Sequence, residues 1–385
     1  MSHNASLTVD EALALASKHA EQHEHEIAIT ILTQLLSTSP NNPIVLYNLG
    51  VSLSHNGEMG RGVGAMLAAL RITRHRNLLP QILAFLRTAK AHGDLIAICE
   101  EFTDVIGDNA LLLNYWALTL CDCSQHAKAA PLLERALLSA PDNLSILHNL
   151  TSVLSALGRH EEAVHIFGRK TTPWTDCGAT TKPIDLYLAL ATAYESNPLH
   201  QSFARKLVSK VRIAAPGHEM RAVLDLGCGT GMLCDHLPKT VETLVGIDLS
   251  PHMLSVAHSK GLYHKLIHGD LATALPQLNT RFDTILSACV LYHIADLSAI
   301  FAHVAKLLVP KGVFAFSVDP LPDGQDIAVT NPGEYCHSRE YLRRLADCVG
   351  LSELSITIDT HRGPPGFWCV FEKQNLVDLA PLTAS

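Results

Sequence analysis

Three closely spaced glycines carry the clearest chemical signal in the sequence. The segment VLDLGCGTGM, residues 223–232, places Gly227, Gly229 and Gly231 in a G-x-G-x-G pattern. A dinucleotide-binding turn has the spacing G-x-G-x-x-G, and Met232 stands where its third glycine would be. The pattern therefore disfavours NAD and predicts a turn in which the backbone closely approaches a different bulky ligand.

Three acidic residues lie at the ends of consecutive short apolar runs. Asp225 belongs to AVLDL beside the glycines, Asp248 ends TLVGID, and Asp270 follows KLIHG. An acid about 20 residues beyond the first strand accepts hydrogen bonds from ribose hydroxyls in such folds. The other two acids suit an amino group and the exocyclic amine of adenine. Because no basic residue near the glycines could neutralise a pyrophosphate, the pattern predicts S-adenosylmethionine as the ligand.

Two further segments carry side chains that could act on a methyl acceptor. Tyr292 and His293 follow a fourth predicted strand, FDTILSA, and would face the methyl group. His293 can act as a general base near neutral pH, or it can pack against the methionine part of the ligand. His337 is expected on the loop before Ser338, the predicted N-cap of the next helix. It could line the acceptor pocket or tie the loop down through a hydrogen bond.

The second half of the chain has the alternating sequence pattern of an α/β domain. Short apolar runs such as AVLDL, TLVGID and GVFAFSVD alternate with helical stretches such as SPHMLSVAHSKG and DLSAIFAHVAKLLVPKG. Strands that alternate with helices indicate a parallel sheet with helices on both faces. In such a sheet the acids and glycines above would meet at the carboxyl ends of the strands.

The first half is helical and repetitive. The segment SPNNPIVLYNLGVSL begins at Ser39, and the similar APDNLSILHNLTSVL begins at Ala140, about three periods of a ~34-residue repeat later. Small residues recur in phase at Ala28, Ala129 and Ala163, where paired helices must approach closely. We predict about five helical pairs over residues 8–169, in the manner of a tetratricopeptide array.

The segment GRKTTPWTDCGATTKP breaks the helical pattern with threonine, glycine and proline. It predicts a helical repeat domain over residues 1–169, a linker over 170–183 and an α/β domain over 184–385. Repeat arrays curve into a concave surface that holds a peptide or partner domain. The alternative is that the array only supports the fold or dimerises.

Composition excludes several classes of protein. The chain has 385 residues, a net charge of −8, 48% hydrophobic residues and 17% charged residues. No long basic run suggests nucleic-acid binding, and no apolar run approaches the ~20 residues that cross a bilayer. The start of the chain lacks the features of a signal peptide. We therefore expect a soluble cytoplasmic protein with no nucleic-acid or membrane partner.

The ten cysteines do not have the spacing of a disulfide framework, and neither the cysteines nor the 22 histidines have the spacing of a zinc site. No metal is therefore expected.

Five motifs together carry a family resemblance. VLDLGCGTG, LVGIDLSPHML, HGDL, FDTILSACVLYHI and LLVPKGVFAFSVD follow one another in the order and spacing of class I S-adenosylmethionine-dependent methyltransferases. The chain resembles that family over about residues 184–374. The two-domain order and the tail GEYCHSREYLRRLADCVGLSEL are similar to bacterial methyltransferases that contain tetratricopeptide repeats, whose acceptor is generally not established.

The resemblance implies a fold and a set of ligand contacts. The fold would be a helical repeat solenoid followed by a doubly wound, Rossmann-like methyltransferase domain. Asp248 would bind the ribose diol, Asp270 the adenine amine, and Leu249 and Leu271 would flank the ring. The methionine amino group would be held by a set of side-chain and backbone groups: Asp225, Gly227, Cys228, Gly229, Gly231 and Ala288.

Three functions are compatible with this pattern. The first is an S-adenosylmethionine-dependent methyltransferase whose repeats recruit a protein or carrier-bound acceptor. The second is a small-molecule methyltransferase whose repeats form a homodimer or brace the fold. The third is a cofactor-binding protein without catalysis, which the intact acids and glycines disfavour. The absence of an NPPY-type motif after the fourth strand, where SACVLY stands, disfavours an amide or adenine nitrogen as the acceptor.

Overall fold

The computed structural model describes residues 7–175, 198–362 and 364–375. Its contacts divide the chain into two compact units, Met1–Ile146 and Leu147–Ser385. Within the described ranges no helix is long and apolar enough to span a membrane.

The helices of the N-terminal region come in pairs along the chain. In chain order they are α1 (Val9–Glu21), α2 (His25–Thr38), α3 (Pro43–His55), α4 (Met59–Thr73), α5 (Leu79–Thr88), α6 (His92–Glu101), the short α7 (Thr103–Ile106), α8 (Ala110–Asp122), α9 (His126–Ser139), α10 (Leu144–Ala156) and α11 (His160–Gly168). From α1 to α6, and from α8 to α9, each helix packs on the next, and α6 also packs on α8. The predicted helical periodicity is therefore confirmed.

The turn inside each helix pair has the same backbone geometry. Two residues before the second helix of every pair, the chain adopts a left-handed conformation, with φ between 54° and 89°. These residues recur every 33 or 34 positions: His23, Gly57, Lys90, Ser124 and Gly158. The backbone thus repeats with the predicted ~34-residue period of helix–turn–helix units.

The first helices of the pairs also begin alike. The side chains of Asn42, Asn109 and Asn143 accept hydrogen bonds from backbone N–H groups in the first turns of α3, α8 and α10, and Thr8 caps α1. Such caps satisfy amides that have no partner within the helix. The small residues predicted at close helix approaches, Ala28, Ala129 and Ala163, are fully buried.

The second unit is built on a mixed sheet. In chain order its further elements are β1 (Thr172–Pro173), α12 (Pro198–Ala214), β2 (Ala222–Leu226), β3 (Thr243–Asp248), α13 (Pro251–Ser259), β4 (Lys265–His268), α14 (Leu271–Ala274), β5 (Phe282–Ser287), α15 (Ser298–Leu307), β6 (Leu308–Leu321), β7 (Ile327–Asn331), β8 (Glu334–Ser338), α16 (Arg339–Cys348), β9 (Leu351–Thr360) and β10 (Pro365–Lys373).

Five strands run parallel in the order β4-β3-β2-β5-β6, and the antiparallel β10 and β9 extend the sheet beyond β6. The chain proceeds from β2 outward to β4 and then returns to the other side of β2 as β5. This reversal is the topological switch point, where α/β sheets bind ligands at the carboxyl ends of their strands. The predicted parallel strands are therefore present, within a mixed sheet that is consistent with a Rossmann-like methyltransferase domain.

The carboxyl end of β6 carries a small extension. Asp319 to Leu321 pair with the parallel β8, β8 pairs with β7, and β7 pairs with β1. The sequence predicted a helical stretch that extends through VPKG, residues 309–312. In the structure α15 ends at Leu307, and VPKG belongs to β6. His337, expected on a loop, lies in β8; Ser338 caps α16 as predicted.

The last helix of the repeat region packs on this second unit. Val164 of α11 belongs to the core cluster of the sheet, and Phe167 packs with Leu321, Ala328 and Cys336 of β6, β7 and β8. The contacts therefore place α11 in the unit that begins at Leu147, upstream of the boundary predicted at residue 169. Most of the predicted linker, 176–183, lies outside the described residues.

Candidate active site

The glycine turn follows β2 directly. Gly227, Gly229 and Gly231 all have positive φ, at 70°, 53° and 79°. The backbone N–H groups of Gly227 and Cys228 donate to the carbonyl of Ile247 on β3. A Cβ on Gly227 would lie 2.3 Å from Cγ2 of Val290, so this position excludes any side chain. The turn is therefore held tightly against the neighbouring segments.

Asp225 is buried beneath this turn. Its carboxylate accepts a 2.7 Å hydrogen bond from the hydroxyl of Tyr263, and the residue is only 2% exposed. Burial raises the pKa of Asp225 to about 7, although the bond from Tyr263 opposes the shift. A buried carboxylate of this kind gains from a cationic partner, because such a partner offsets the lost solvation of the charge.

Asp248 joins the end of β3 to the glycine turn. One of its oxygens accepts from the backbone N–H of Gly229 at 2.7 Å, and the other accepts from Ser250 at 2.8 Å. Burial raises its pKa, while hydrogen bonds from the backbone of Ser250, Gly229 and Leu249 counteract the shift. The structure thus brings Asp225, Asp248 and the glycines together, as predicted.

Asp270 lies at the end of β4 and caps α14. Its side chain accepts from the backbone N–H of Ala272 at 2.7 Å, and the residue is exposed. The two predicted ring contacts differ in environment. Leu249 is 43% exposed and accessible to a ligand, whereas Leu271 is buried in the core of the domain.

The segment after β5 carries the predicted acceptor-side residues. Ala288 is half-buried, and Tyr292 and His293 lie in a 3₁₀ turn, Leu291–His293. Their ring centroids are 3.9 Å apart. Nδ1 of His293 lies 3.0 Å from the carbonyl oxygen of Gly333, so the ring carries a proton on Nδ1 and donates it to that carbonyl.

Comparison with known proteins shows what this part of the chain is similar to. A model described as a methyltransferase domain matches residues 224–316. That match covers the glycine turn, Asp225, Asp248, Asp270 and the segment after β5. The matched segment is a methyltransferase domain. The methyltransferase family uses S-adenosylmethionine as its cofactor.

Two curated relatives are O-methyltransferases of low sequence identity to this chain. A ubiquinone biosynthesis O-methyltransferase of Bartonella tribocorum is 29% identical over 150 residues, which are 38% of this chain and 59% of that protein. Another, of Chelativorans sp., is 28% identical over 153 residues, 39% of this chain and 58% of its own. The chain thus spans less than two thirds of the length of these relatives. A solved S-adenosylmethionine-dependent methyltransferase from Clostridium acetobutylicum is 18% identical with a TM-score of 0.39, covering 49% of this chain and 100% of its own.

The residues of the methyltransferase domain fit the cofactor. No heavy atom lies within 4 Å of where a Cβ on Gly229 would be, so the turn faces open space there. The hydroxyl of Thr230 in the same turn is buried and finds no hydrogen-bond partner among the residues described. The ends of β2, β3 and β4 supply carboxylates and no lysine or arginine, which suits a ligand with amino and hydroxyl groups and no phosphates.

His337 stands apart from these groups. Its ring is fully buried, and Nε2 lies 2.9 Å from the carbonyl oxygen of Ala295. Burial lowers the pKa of His337 to about 4, so the ring is neutral and donates to that carbonyl. This arrangement matches the predicted alternative, a hydrogen bond that ties the chain down. The ring also stacks on Tyr341, with centroids 5.7 Å apart.

The sequence analysis missed a buried charged cluster beside Tyr292. Asp319 at the end of β6 pairs with His361 at 2.9 Å and with Arg362, and Arg362 also pairs with Glu334. The guanidinium carbon of Arg362 lies 3.7 Å from the centroid of the Tyr292 ring. The position of Asp319 at a strand end was a detectable signal, but nothing local marks His361 or Arg362.

Proposed function

We propose that this protein transfers a methyl group from S-adenosylmethionine to an acceptor that its helical repeats recruit. The observation that carries the proposal is the convergence of Asp225, Asp248 and the open turn at Gly229 on one edge of the sheet. These groups offer a carboxylate for an amino group, a carboxylate for a diol and space for the body of the ligand.

Each residue has a distinct task in this proposal. Asp225 and the glycine turn hold the amino group, Asp248 accepts from the ribose hydroxyls, Asp270 accepts from the adenine amine, and Leu249 covers the ring. When bound, the cofactor supplies an electrophilic methyl group on a sulfonium sulfur. The surrounding groups then orient the acceptor and exclude water, which is most of what such a displacement requires.

His293 is the residue proposed to remove a proton from the acceptor. Because the Gly333 carbonyl fixes the proton on Nδ1, Nε2 is the basic atom of the ring. Tyr292 supports the imidazole from one side. A base of this kind is needed only if the acceptor is a hydroxyl or another protonated group.

The repeats are proposed to deliver a protein or carrier-bound acceptor. Their ~34-residue period resembles tetratricopeptide arrays, which bind peptides and domains. Ile44 and Leu111 occupy equivalent second positions of α3 and α8, and both are more than half exposed. Repeated exposed apolar side chains suit a partner surface.

A small-molecule acceptor is the second candidate. The curated relatives are named as O-methyltransferases of ubiquinone biosynthesis, which favours a hydroxyl-bearing small molecule. In that case the repeats would form a homodimer or brace the fold.

Incubation of the full-length protein with lysate and methyl-labelled cofactor distinguishes these candidates. Recruitment predicts label in the protein or carrier fraction, and the second candidate predicts label in the small-molecule fraction.

Asp248→Ala should weaken binding of the cofactor or its demethylated product by about tenfold or more, because charge-assisted hydrogen bonds are lost. Cofactor affinity that is unchanged in this variant, or cofactor binding without any transfer, would contradict the proposed function.

A further inference from the structure

Tyr263 reaches Asp225 across the strand that lies between them. The residue precedes β4, and its hydroxyl donates to Oδ2 of Asp225 on β2 at 2.7 Å. In the sheet β3 separates these two strands, and the residue of β3 that pairs with Asp225 is Gly246. Because Gly246 has no side chain, the tyrosine ring can cross β3 at this position.

Two glycines leave the space for this ring. A Cβ on Gly246 would lie 2.8 Å from Cε1 of Tyr263, and a Cβ on Gly231 would lie 2.9 Å from Cε2. A side chain at either position would therefore displace the ring. The backbone of Gly246 is not left-handed, so space rather than conformation favours glycine there. The ring is confined at both edges, which directs its hydroxyl to Asp225.

The hydroxyl of Tyr263 remains a donor at neutral pH. Burial raises the pKa of Tyr263, and the neighbouring Asp225 carboxylate raises it further. Within the part of the chain that the structure describes, Tyr263 is the one group that hydrogen-bonds the Asp225 side chain. One carboxylate oxygen is thus occupied, and the other is left for a ligand.

We propose that Tyr263 is a positioning residue for the cofactor, which orients the Asp225 carboxylate so that Oδ1 meets the amino group. A carboxylate whose rotation is already fixed loses less freedom when the ligand binds. This inference rests on the proposed function, because the amino group is that of S-adenosylmethionine. It adds a selectivity: Tyr263 should matter for ligands that carry the amino acid and not for a nucleoside that lacks it.

Calorimetry of the full-length protein with two ligands tests this role. S-adenosylhomocysteine carries the amino group, whereas methylthioadenosine keeps the adenine and the ribose but has no amino acid. Tyr263→Phe retains the ring between the two glycines and removes only the hydroxyl. We expect this variant to bind S-adenosylhomocysteine about tenfold more weakly at neutral pH, because a hydrogen bond to a charged group is lost. Its affinity for methylthioadenosine should be unchanged.

A double-mutant cycle shows whether Tyr263 acts through Asp225. In an Asp225→Asn background, Tyr263→Phe should cause little further loss, because the carboxylate that it positions is gone. The matched control is Tyr341→Phe, which removes another tyrosine–aspartate hydrogen bond, 2.9 Å to Asp296, from a helix that packs on β8 and β9. This control should bind both ligands as the wild type does.

The pH dependence of binding is a readout that a merely structural role would not move. The bond from Tyr263 lowers the pKa of Asp225 against the effect of burial. Without it that pKa should rise further, so the affinity of Tyr263→Phe for S-adenosylhomocysteine should begin to fall at a higher pH than in the wild type. The other titratable groups near Asp225 are Asp248, Cys228 and Cys234. Burial raises the pKa of both thiols, that of Cys234 to about 11, so both are neutral at neutral pH.

Two results would overturn the role of Tyr263. One is an equal loss of affinity for both ligands in Tyr263→Phe, and the other is a loss in the Asp225→Asn background as large as in the wild type. In either case, wild-type binding of S-adenosylhomocysteine that Asp248→Ala weakens would still support the proposed function. A wild type that does not bind S-adenosylhomocysteine would contradict both.

Discussion

At the residue scale, the donor side of the site combines a buried carboxylate with a hydrogen-bonded one. Asp225 is held by one hydroxyl, from Tyr263, whereas Asp248 accepts from backbone amides on both oxygens. Desolvation therefore raises the pKa of both acids, and at Asp248 several backbone hydrogen bonds oppose it. The two acids should respond differently to pH, although they lie on neighbouring strands.

Binding of the cofactor should depend on the ionisation of Asp225. Its pKa is raised to about 7, so the carboxyl is neutral below that pH and cannot pair with an ammonium group. Affinity for the demethylated cofactor should fall as pH drops below 7, approaching tenfold per unit. Calorimetry between pH 6 and 8 measures this slope.

Asp225→Asn should bind weakly and show no slope in the same range, because its side chain does not titrate. Asp347→Asn, on the exposed surface of α16, is the matched control and should retain the slope. A wild-type affinity that stays constant from pH 6 to 8 would show that Asp225 is already ionised or does not contact the ligand.

Alanine substitutions at two glycines of this turn should impair the protein for different physical reasons. Gly227→Ala forces a left-handed residue, at about 1–2 kcal/mol, and drives its Cβ into Val290, at about 1–3 kcal/mol more. Gly229→Ala meets no protein atom, so it should cost only the first amount but obstruct the ligand. Urea unfolding and cofactor titration of both variants separate these effects. Equal losses of stability would contradict the assignment.

The donor side could be predicted from sequence because each of its residues sits in a local pattern. Asp225, Asp248 and the glycines all belong to short strand-and-turn segments that keep their geometry wherever the sheet forms. The charged cluster could not be predicted in this way. His361 meets Asp319 only because the carboxyl ends of β9 and β6 lie at the same edge of the sheet, with β10 between them.

At the element scale, the repeat region owes its period to turns rather than to a strict sequence motif. The left-handed turn position is glycine in two pairs and histidine, lysine or serine in the other three. This variation weakens the sequence signal while leaving the backbone unchanged. The helix pairs were therefore predictable, but the equivalence of α5 and α6 with their neighbours was clear only from the structure.

Lys90→Gly tests this view of the turns. Lys90 has φ of 54° between α5 and α6, where the equivalent Gly57 and Gly158 have 89° and 75°. Relief of about 1–2 kcal/mol of strain outweighs the ~0.4–1 kcal/mol entropy cost of glycine, so stability should rise by roughly 0.5–1 kcal/mol. Gly57→Ala, with open space around it, should lower stability. Chemical unfolding that shows Lys90→Gly less stable than wild type would oppose this interpretation.

At the scale of the whole molecule, the helical repeats and the methyltransferase domain are not separated at the end of the last repeat helix. Val164 and Phe167 of α11 are buried against the sheet and its extension, and Glu161 pairs with Arg339 of α16. Sequence periodicity assigns α11 to the repeats, because it cannot show which surface covers the apolar face of a helix. Packing assigns the same helix to the second unit.

Two truncations test this division and the recruitment of the acceptor together. A chain that starts at residue 142 keeps α10 with its Asn143 cap and all of α11, and should melt cooperatively with its cofactor affinity intact. A chain that starts at residue 170 loses Phe167 from a buried site, which costs about 3–5 kcal/mol for a phenylalanine, and should melt early or aggregate.

If the repeats recruit the acceptor, the longer truncated protein should show a raised apparent KM for the natural acceptor, because remote binding energy is lost while the donor pocket is untouched. Full activity of that protein on the acceptor would exclude recruitment, and equal melting of the two truncated proteins would exclude a structural role for α11.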